Sequence, residues 1–195
     1  SIPLIVRDHK LVWKNFQSFP LMIIFKRTKI TIIKENIASV SADCIVNAAN
    51  HTLLGGGGVD GAIHQAAGPK LLEECKTLRG CQTGEAKITK GYTLKATYVI
   101  HAVGPVYGKE GGREAKLLAS CYQNSLALAK KHRIKTIAFP AISTGAYGYP
   151  KEEAVAIVYQ TLTDYLKQNN FFDEIMFVLY SPNSYRLYKK TFEGR

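Results

Sequence analysis

Strand-like and helix-like segments alternate along most of the 195-residue chain, which predicts an α/β domain with a largely parallel sheet covered by helices on both faces. The strand candidates are short apolar or β-branched runs such as Cys44–Ala48 and Thr136–Phe139. Glycine-rich loops follow two of them and lead into helices, and in such sheets ligands bind beyond the carboxyl ends of the strands. The length suits one core, and 46% hydrophobic with 21% charged residues is a globular balance.

In chain order, residues 1–20 are weakly patterned and are expected to form an extension without an assigned role, with Leu11–Phe16 as an edge strand. The domain proper is read over residues 21–195. Ile30–Ile33 and Cys44–Ala48 are strands, and a helix from Val59 to Ala67 is ended by Gly68-Pro69. A second helix, Lys70–Leu78, follows, then strands Ala86–Gly91 and Tyr98–Val103, the latter stopped at Gly104-Pro105. Between Gly112 and His132, the recurrence of Leu117, Leu118, Cys121, Ser125 and Leu128 marks a helical stripe. Thr136–Phe139 is a strand stopped by Pro140. Lys151–Asn169 is the cleanest helix, with Glu152 and Glu153 in its first turn, where the dipole favours them. Glu174–Tyr180 and Asn183–Phe192 complete the pattern as strand and helix.

Composition narrows the function. Twenty-six Lys and Arg against 15 Asp and Glu give a formal net charge of +11, a field that attracts anionic ligands. The basic residues are dispersed (Lys26, Arg27 and Lys29; Lys130, Lys131 and Arg133; Lys189 and Lys190), so a small anion is favoured over nucleic acid, which stays a secondary partner. The four cysteines, Cys44, Cys75, Cys81 and Cys121, form no Cys-x-x-Cys pair and are expected as free thiols in a reducing, cytoplasmic setting. The five histidines are scattered, and nothing requires a metal. No signal-peptide pattern opens the sequence, and apolar runs such as Leu21–Phe25 fall far short of the roughly 20 residues that span a membrane. The domain is expected to act as a monomer.

Two loops carry the chemistry. The first runs from Asn47 through Asn50 and the four glycines Gly55 to Gly58 into Val59, Asp60, Gly61 and His64. Such a run lets the backbone approach an anion and aim several N–H groups at it, helped by the helix N-terminus. The second, Phe139-Pro-Ala-Ile-Ser143-Thr144-Gly145-Ala146-Tyr147-Gly148-Tyr149-Pro150, also lies between strand and helix, and the pair could clamp a diphosphate from both sides. Gly56-x-Gly58-x-x-Gly61 matches the dinucleotide fingerprint in spacing, but it stands far from the preceding strand and carries Asp60. Gly-x-x-x-x-Gly-Lys-Ser/Thr is absent, which argues against ATP hydrolysis by that route. Asp60 and His64, four apart, share a helix face. An acid beside a helix N-terminus is favoured as the anion, so Asp60 is expected to orient a water more than to deprotonate it. His64 reads equally well as a packed residue. No ordered Ser/His/Asp set or activated cysteine points to a covalent intermediate.

These loops make the sequence recognisable. Asn47-Ala-Ala-Asn50, Leu53 through His64, Ala66-Ala-Gly-Pro69, Thr83-Gly-Glu-Ala86, Val99 through Pro105 and Phe139 through Gly145 resemble the macrodomain family and its MacroD-like branch, from about residue 22 to the end. The resemblance implies a three-layer α/β/α sandwich around a mixed, largely parallel sheet that binds ADP-ribose. It implies an enzyme that removes mono-ADP-ribose from Asp or Glu side chains of proteins and deacetylates O-acetyl-ADP-ribose, with no cofactor. Carried onto this chain, Asn50, Asp60 and His64 would be catalytic. Asn50 would bond the distal ribose, Asp60 would hold the water, and His64 would support the ribose side. Gly56, Gly57, Gly58 and Val59 with Ser143, Thr144, Gly145, Ala146 and Tyr147 would cradle the diphosphate, and Tyr147 would pack on the distal ribose. Asn36, Ile37 and Ala48 complete the expected ligand contacts. One departure stands out: Asn36 occupies the place of an Asp that accepts a hydrogen bond from the adenine amino group, so it keeps an acceptor oxygen but loses the charge. Asn36→Asp is therefore expected to tighten ADP-ribose binding. The rival readings are an ADP-ribose reader that does not cleave, a phosphatase acting on ADP-ribose 1″-phosphate, and a nucleic-acid-facing protein.

Overall fold

The structure, a computed structural model, describes residues 4–7, 10–13 and 20–194. Its elements run β1 (Leu4–Arg7), β2 (Lys10–Trp13), β3 (Leu21–Phe25), β4 (Thr28–Lys34), a 3₁₀ turn (Ile37–Ser39), β5 (Cys44–Ala49), α1 (Gly58–Ala67), α2 (Pro69–Thr77), β6 (Ala86–Lys90), β7 (Tyr98–Val103), α3 (Glu114–Lys131), β8 (Thr136–Phe139), α4 (Lys151–Gln168), β9 (Glu174–Leu179) and α5 (Pro182–Glu193). They form one mixed sheet in the order β1-β2-β3-β4-β9-β8-β5-β7-β6. The centre, β4-β9-β8-β5-β7, is parallel throughout, while β1 to β4 form an antiparallel meander at one edge and β6 pairs antiparallel with β7 at the other.

Side chains alternate across each strand, and this sorts the residues into two cores. Cys44, Val46, Ile100, Ala102, Ile137, Phe139, Ile175, Phe177 and Leu179 face α3, α4 and α5, which bring Leu118, Tyr122, Val158, Leu162, Tyr188 and Phe192. Ile45, Ala49, Val99, Val103, Ala138 and Val178 point the other way, against Ile63 and Ala67 of α1, Leu71 and Cys75 of α2 and Ile37 of the 3₁₀ turn. The result is a three-layer α/β/α sandwich. All four cysteines are buried free thiols, and among the described residues no helix is long and apolar enough to cross a membrane.

Leu11–Phe16, expected as an edge strand, overlaps β2 (Lys10–Trp13), which is not an edge because β1 pairs on its outer side, and positions 14–16 lie outside the described residues. Through β2, which pairs with β3, residues 4–7 and 10–13 join the same sheet. Because the central strands are parallel, the loops after β4, β5, β7, β8 and β9 open on one edge, and the candidate site lies there.

Candidate active site

A cleft of two adjoining lobes runs along this edge. One lobe, about 320 Å³, is lined by Ala48, Asn50, Gly56, Gly57, Asp60, Gly104, Ser143, Ala146 and Tyr147. The other, about 560 Å³, is lined by Glu35, Asn36, Ile37, Thr144, Lys151, Val178, Tyr180 and Ser181. Gly58, Val59, Ala141 and Gly145 line both and form the junction between them.

The junction is made for an anion. Helix α1 begins after Gly57 without a side-chain cap, whereas α5 is capped by Ser181, whose Oγ accepts from Ser184 N at 3.1 Å. The N–H groups of Gly56, Gly57, Gly58 and Val59 bond no described residue, so the positive end of α1 faces the cleft unsatisfied. Across from it, Tyr149 N donates to Ser143 O at 2.9 Å and Gly148 N to Gly145 O at 3.0 Å, folding the second loop on itself. The Thr144, Gly145, Ala146 and Tyr147 N–H groups are left without a partner among the described residues. Two rows of backbone donors thus face one gap. Two other glycines hold the geometry. A Cβ on Gly61 would stand 2.7 Å from Gly56 O, and one on Gly104 would stand 2.2 Å from Ser143 Oγ.

In the smaller lobe Asp60 is buried, and its two oxygens differ. Oδ1 accepts from Asn47 Nδ2 at 2.8 Å and lies 3.4 Å from His64 Nε2, off the line of a hydrogen bond. Oδ2 has no partner among the described residues and lies 3.1 Å from where a Cβ on Gly56 would be. Behind Asp60 runs a buried polar chain. Asn47 Nδ2 is also 3.1 Å from His101 Nδ1, and His101 Nε2 is 2.9 Å from Thr89 Oγ1. Burial first, and His64 second, lower His101 to a pKa of about 3, so its ring is neutral. Asn47 Nδ2 can only donate, which makes His101 Nδ1 the acceptor and puts the proton on Nε2, donated to Thr89. Cys75 Sγ, 3.7 Å from the same Nε2, is raised to about 11 by burial and then by Asp60 and Glu74, and stays a thiol. Burial, then Asp60, also raises Tyr147, which keeps its phenol proton.

Of the residues singled out from sequence, the smaller lobe gathers Ala48, Asn50, Gly56, Gly57, Asp60, Ser143, Ala146 and Tyr147. The larger takes Asn36, Ile37 and Thr144, and Gly58, Val59 and Gly145 are shared. His64 lines neither lobe and stands behind Asp60. Asn50 is turned to its own loop, with Nδ2 on Gly55 O at 2.9 Å and Oδ1 accepting from Thr52 N at 3.0 Å and Thr52 Oγ1 at 2.5 Å. Asn36 lines the larger lobe, and its oxygen also caps the 3₁₀ turn, accepting from Ala38 N at 3.0 Å. Asn47, His101 and Thr89 were not singled out. Asn47 and His101 stand within two of the motifs quoted above, each a polar residue at an inward position of a strand otherwise apolar on that face, and Thr89 has no such signal. Among the described residues no group of three or more His, Cys, Asp or Glu is arranged to hold a metal.

Sandwich, cleft and donor rows define an α/β/α anion-binding domain with its site at the carboxyl edge of the sheet. The chain belongs to the macro domain family, whose model, described as Macro domain, matches residues 46–158, and its relatives place it in the MacroD-like branch. A Macro domain-containing protein of Methanosarcina mazei is 58% identical over 84% of this chain and 87% of its own length. The ADP-ribose glycohydrolase MACROD2 of Mus musculus is 48% identical over 91% of this chain, which spans 38% of that longer protein. Among solved structures, a glycine-to-valine mutant of the Oceanobacillus iheyensis macrodomain with ADPR has a TM-score of 0.87 at 39% identity, covering 90% of this chain and 98% of that one. The Trypanosoma brucei macrodomain in complex with ADP-ribose has a TM-score of 0.79 at 43% identity, covering 84% and 68%.

Proposed function

We propose that this protein is an ADP-ribosyl hydrolase that cleaves the ester between ADP-ribose and an Asp or Glu side chain of a protein, and also removes the acetyl group of O-acetyl-ADP-ribose. The observation that carries the reading is Asp60 Oδ2, a buried carboxylate oxygen without a partner beside the anion-binding junction. With the diphosphate on the two donor rows, the distal ribose falls into the smaller lobe and the nucleoside into the larger. Asp60 Oδ2 then accepts a hydrogen bond from a water and aims it at the ester. The reaction consumes that water and returns free ADP-ribose and the side-chain carboxylic acid. His64, behind Asp60, supports its orientation. Tyr147, kept protonated, packs against the ribose. Variants of the Oceanobacillus iheyensis macrodomain have been solved at an asparagine, a glycine and an aspartate spaced seven and then three residues apart, the spacing of Asn50, Gly57 and Asp60.

Both polar ends of Asn50 are occupied by Gly55 and Thr52, which favours a second reading, an ADP-ribose reader that binds without cleaving. One experiment separates the two. A protein mono-ADP-ribosylated on glutamate is incubated with this protein and with its Asp60→Ala variant. Release of ADP-ribose by the first, falling by at least about a hundredfold in the second, is expected of the hydrolase. Tight ADP-ribose binding without release identifies the reader.

A further inference from the structure

Basic residues that lie scattered along the sequence are gathered by the fold at one place, the edge where the parallel strands begin, opposite the cleft. Lys95 stands just before β7, Lys131 and Arg133 lie between α3 and β8, and Lys90 ends β6 opposite Tyr98. All four are exposed, and their side chains bond no described residue. Acids of this edge are held by neighbours: Asp173 by Arg27, Glu174 by Lys29, and Asp43 by the N–H groups of Lys135 and Thr136. The α3 dipole favours a lysine in its last turn, which accounts for Lys131 but not for the other three. A groove of about 450 Å³ opens beside them, with Lys90, Tyr92, Lys95 and Tyr98 in its wall. The Tyr98 ring meets that of His132 at 6.0 Å, so the groove runs on to the end of α3. Tyr92, also exposed, is held in place by its O–H, which donates to Glu74 Oε1 at 2.7 Å, the oxygen that also accepts from Lys90 N. Tyr92 and Arg133 both have left-handed backbone, φ 52° and 57°, where glycine or asparagine would be the relaxed choice. The turns themselves do not ask for a ring and a guanidinium there.

We propose that this edge is a second binding surface, for single-stranded nucleic acid, with backbone phosphates on Lys90, Lys95, Lys131 and Arg133 and a base stacked on Tyr92. A cationic groove with aromatic faces suits a single strand of any sequence, because every base has a face to stack. A duplex would satisfy the four cations but keeps its base faces inside, away from Tyr92. An anionic lipid surface would answer the charge and make no use of the groove. The surface is separate from the cleft: the six residues of β7 alone put roughly 17 Å between the two ends of the sheet. A strand and ADP-ribose are therefore held at the same time, and the inference stands apart from the proposed function.

The test is fluorescence anisotropy of a labelled oligothymidylate, about twelve nucleotides long, titrated with the protein at two salt concentrations. Four phosphate contacts to a single strand predict a fall in affinity of about fiftyfold from about 50 to about 200 mM salt. Lys95→Gln with Arg133→Asn is expected to cut that salt dependence by about half in logarithmic slope. Tyr92→Asn, which keeps a residue at ease in left-handed backbone, is expected to weaken binding about fivefold or more with the slope unchanged. Excess ADP-ribose is expected to leave the strand bound. No binding at the lower salt overturns the inference, and capture of phosphatidylserine vesicles instead makes the partner a membrane surface. Displacement by ADP-ribose, or binding that the Lys95 and Arg133 variant does not change, places the strand elsewhere and overturns the assignment to this edge. A Tyr92→Asn variant that binds as well as the native protein, with a duplex bound equally, overturns the choice of a single strand.

Discussion

Asn47 touches neither lobe of the cleft, yet both of its amide hydrogens are committed to it, one to Asp60 Oδ1 and one to His101 Nδ1. By occupying Oδ1 it fixes the carboxylate plane and leaves Oδ2 as the oxygen that can hold a water. Asn47→Ala leaves a buried carboxylate oxygen and an imidazole nitrogen unpaired, a loss of about 1–3 kcal/mol in stability. Hydrolysis is expected to slow by about tenfold to a hundredfold, with ADP-ribose affinity nearly unchanged because no ligand contact is removed. Single-turnover rates beside a binding isotherm check this; an unchanged rate would show that Asp60 keeps its orientation without Asn47. The residue scale also marks where sequence reading runs out. Asp60 and the glycines were legible because loop chemistry is local. Asn47, His101 and Thr89 were not, because they meet only when β5, β7 and β6 lie side by side. That the Asn36 oxygen also caps a turn is not legible for a related reason, since the 3₁₀ turn has no strong pattern of its own.

At the scale of elements, β7 and β8 were read with the boundaries the structure has, because Gly104-Pro105 and Pro140 stop them. Helices α1 to α5 were found within one or two residues at each end, for the same reason of periodicity closed by glycine or proline. Strand order was not readable: β5 inserts between β8 and β7, and β4 lies beside β9, pairings decided by which apolar faces share a core. One loop contact has a direct consequence for binding. Gly104, just after β7, abuts the second loop so closely that a Cβ would lie 2.2 Å from Ser143 Oγ and 2.6 Å from Ile142 Cγ2. Ser143 already holds a left-handed backbone, φ 65°, so it has little freedom to retreat. Gly104→Ala should therefore push the Thr144–Tyr147 donor row out of line and weaken ADP-ribose binding by about tenfold or more. Calorimetry giving the native affinity would mean that the loop yields without losing its donors.

Across the whole molecule, the excess of positive charge and the buried site pull on stability and function in different ways. The +11 charge speeds the arrival of a dianionic ligand and weakens as salt screens it. It also raises self-repulsion as the carboxylates protonate in acid. The sharper acid response comes from His101, which lies in the middle of the α1/α2 side of the sandwich, faced by Asp60, His64 and Cys75. Burial lowers it from 6.5 to about 3, so between those values the unfolded chain binds a proton that the folded protein refuses. The sign follows: stability from this group is complete above about pH 6.5 and drains as pH falls toward 3, by on the order of 5 kcal/mol in all. Urea unfolding at steps from pH 7 to pH 4 should show stability dropping with a slope near one proton from this group. His101→Asn keeps an acceptor for Asn47 and has nothing to protonate, so its slope should be shallower by about that one proton even if the variant is less stable at pH 7. Equal slopes in the two proteins would mean that the acid loss comes from the carboxylates and that His101 is protonated in the folded state.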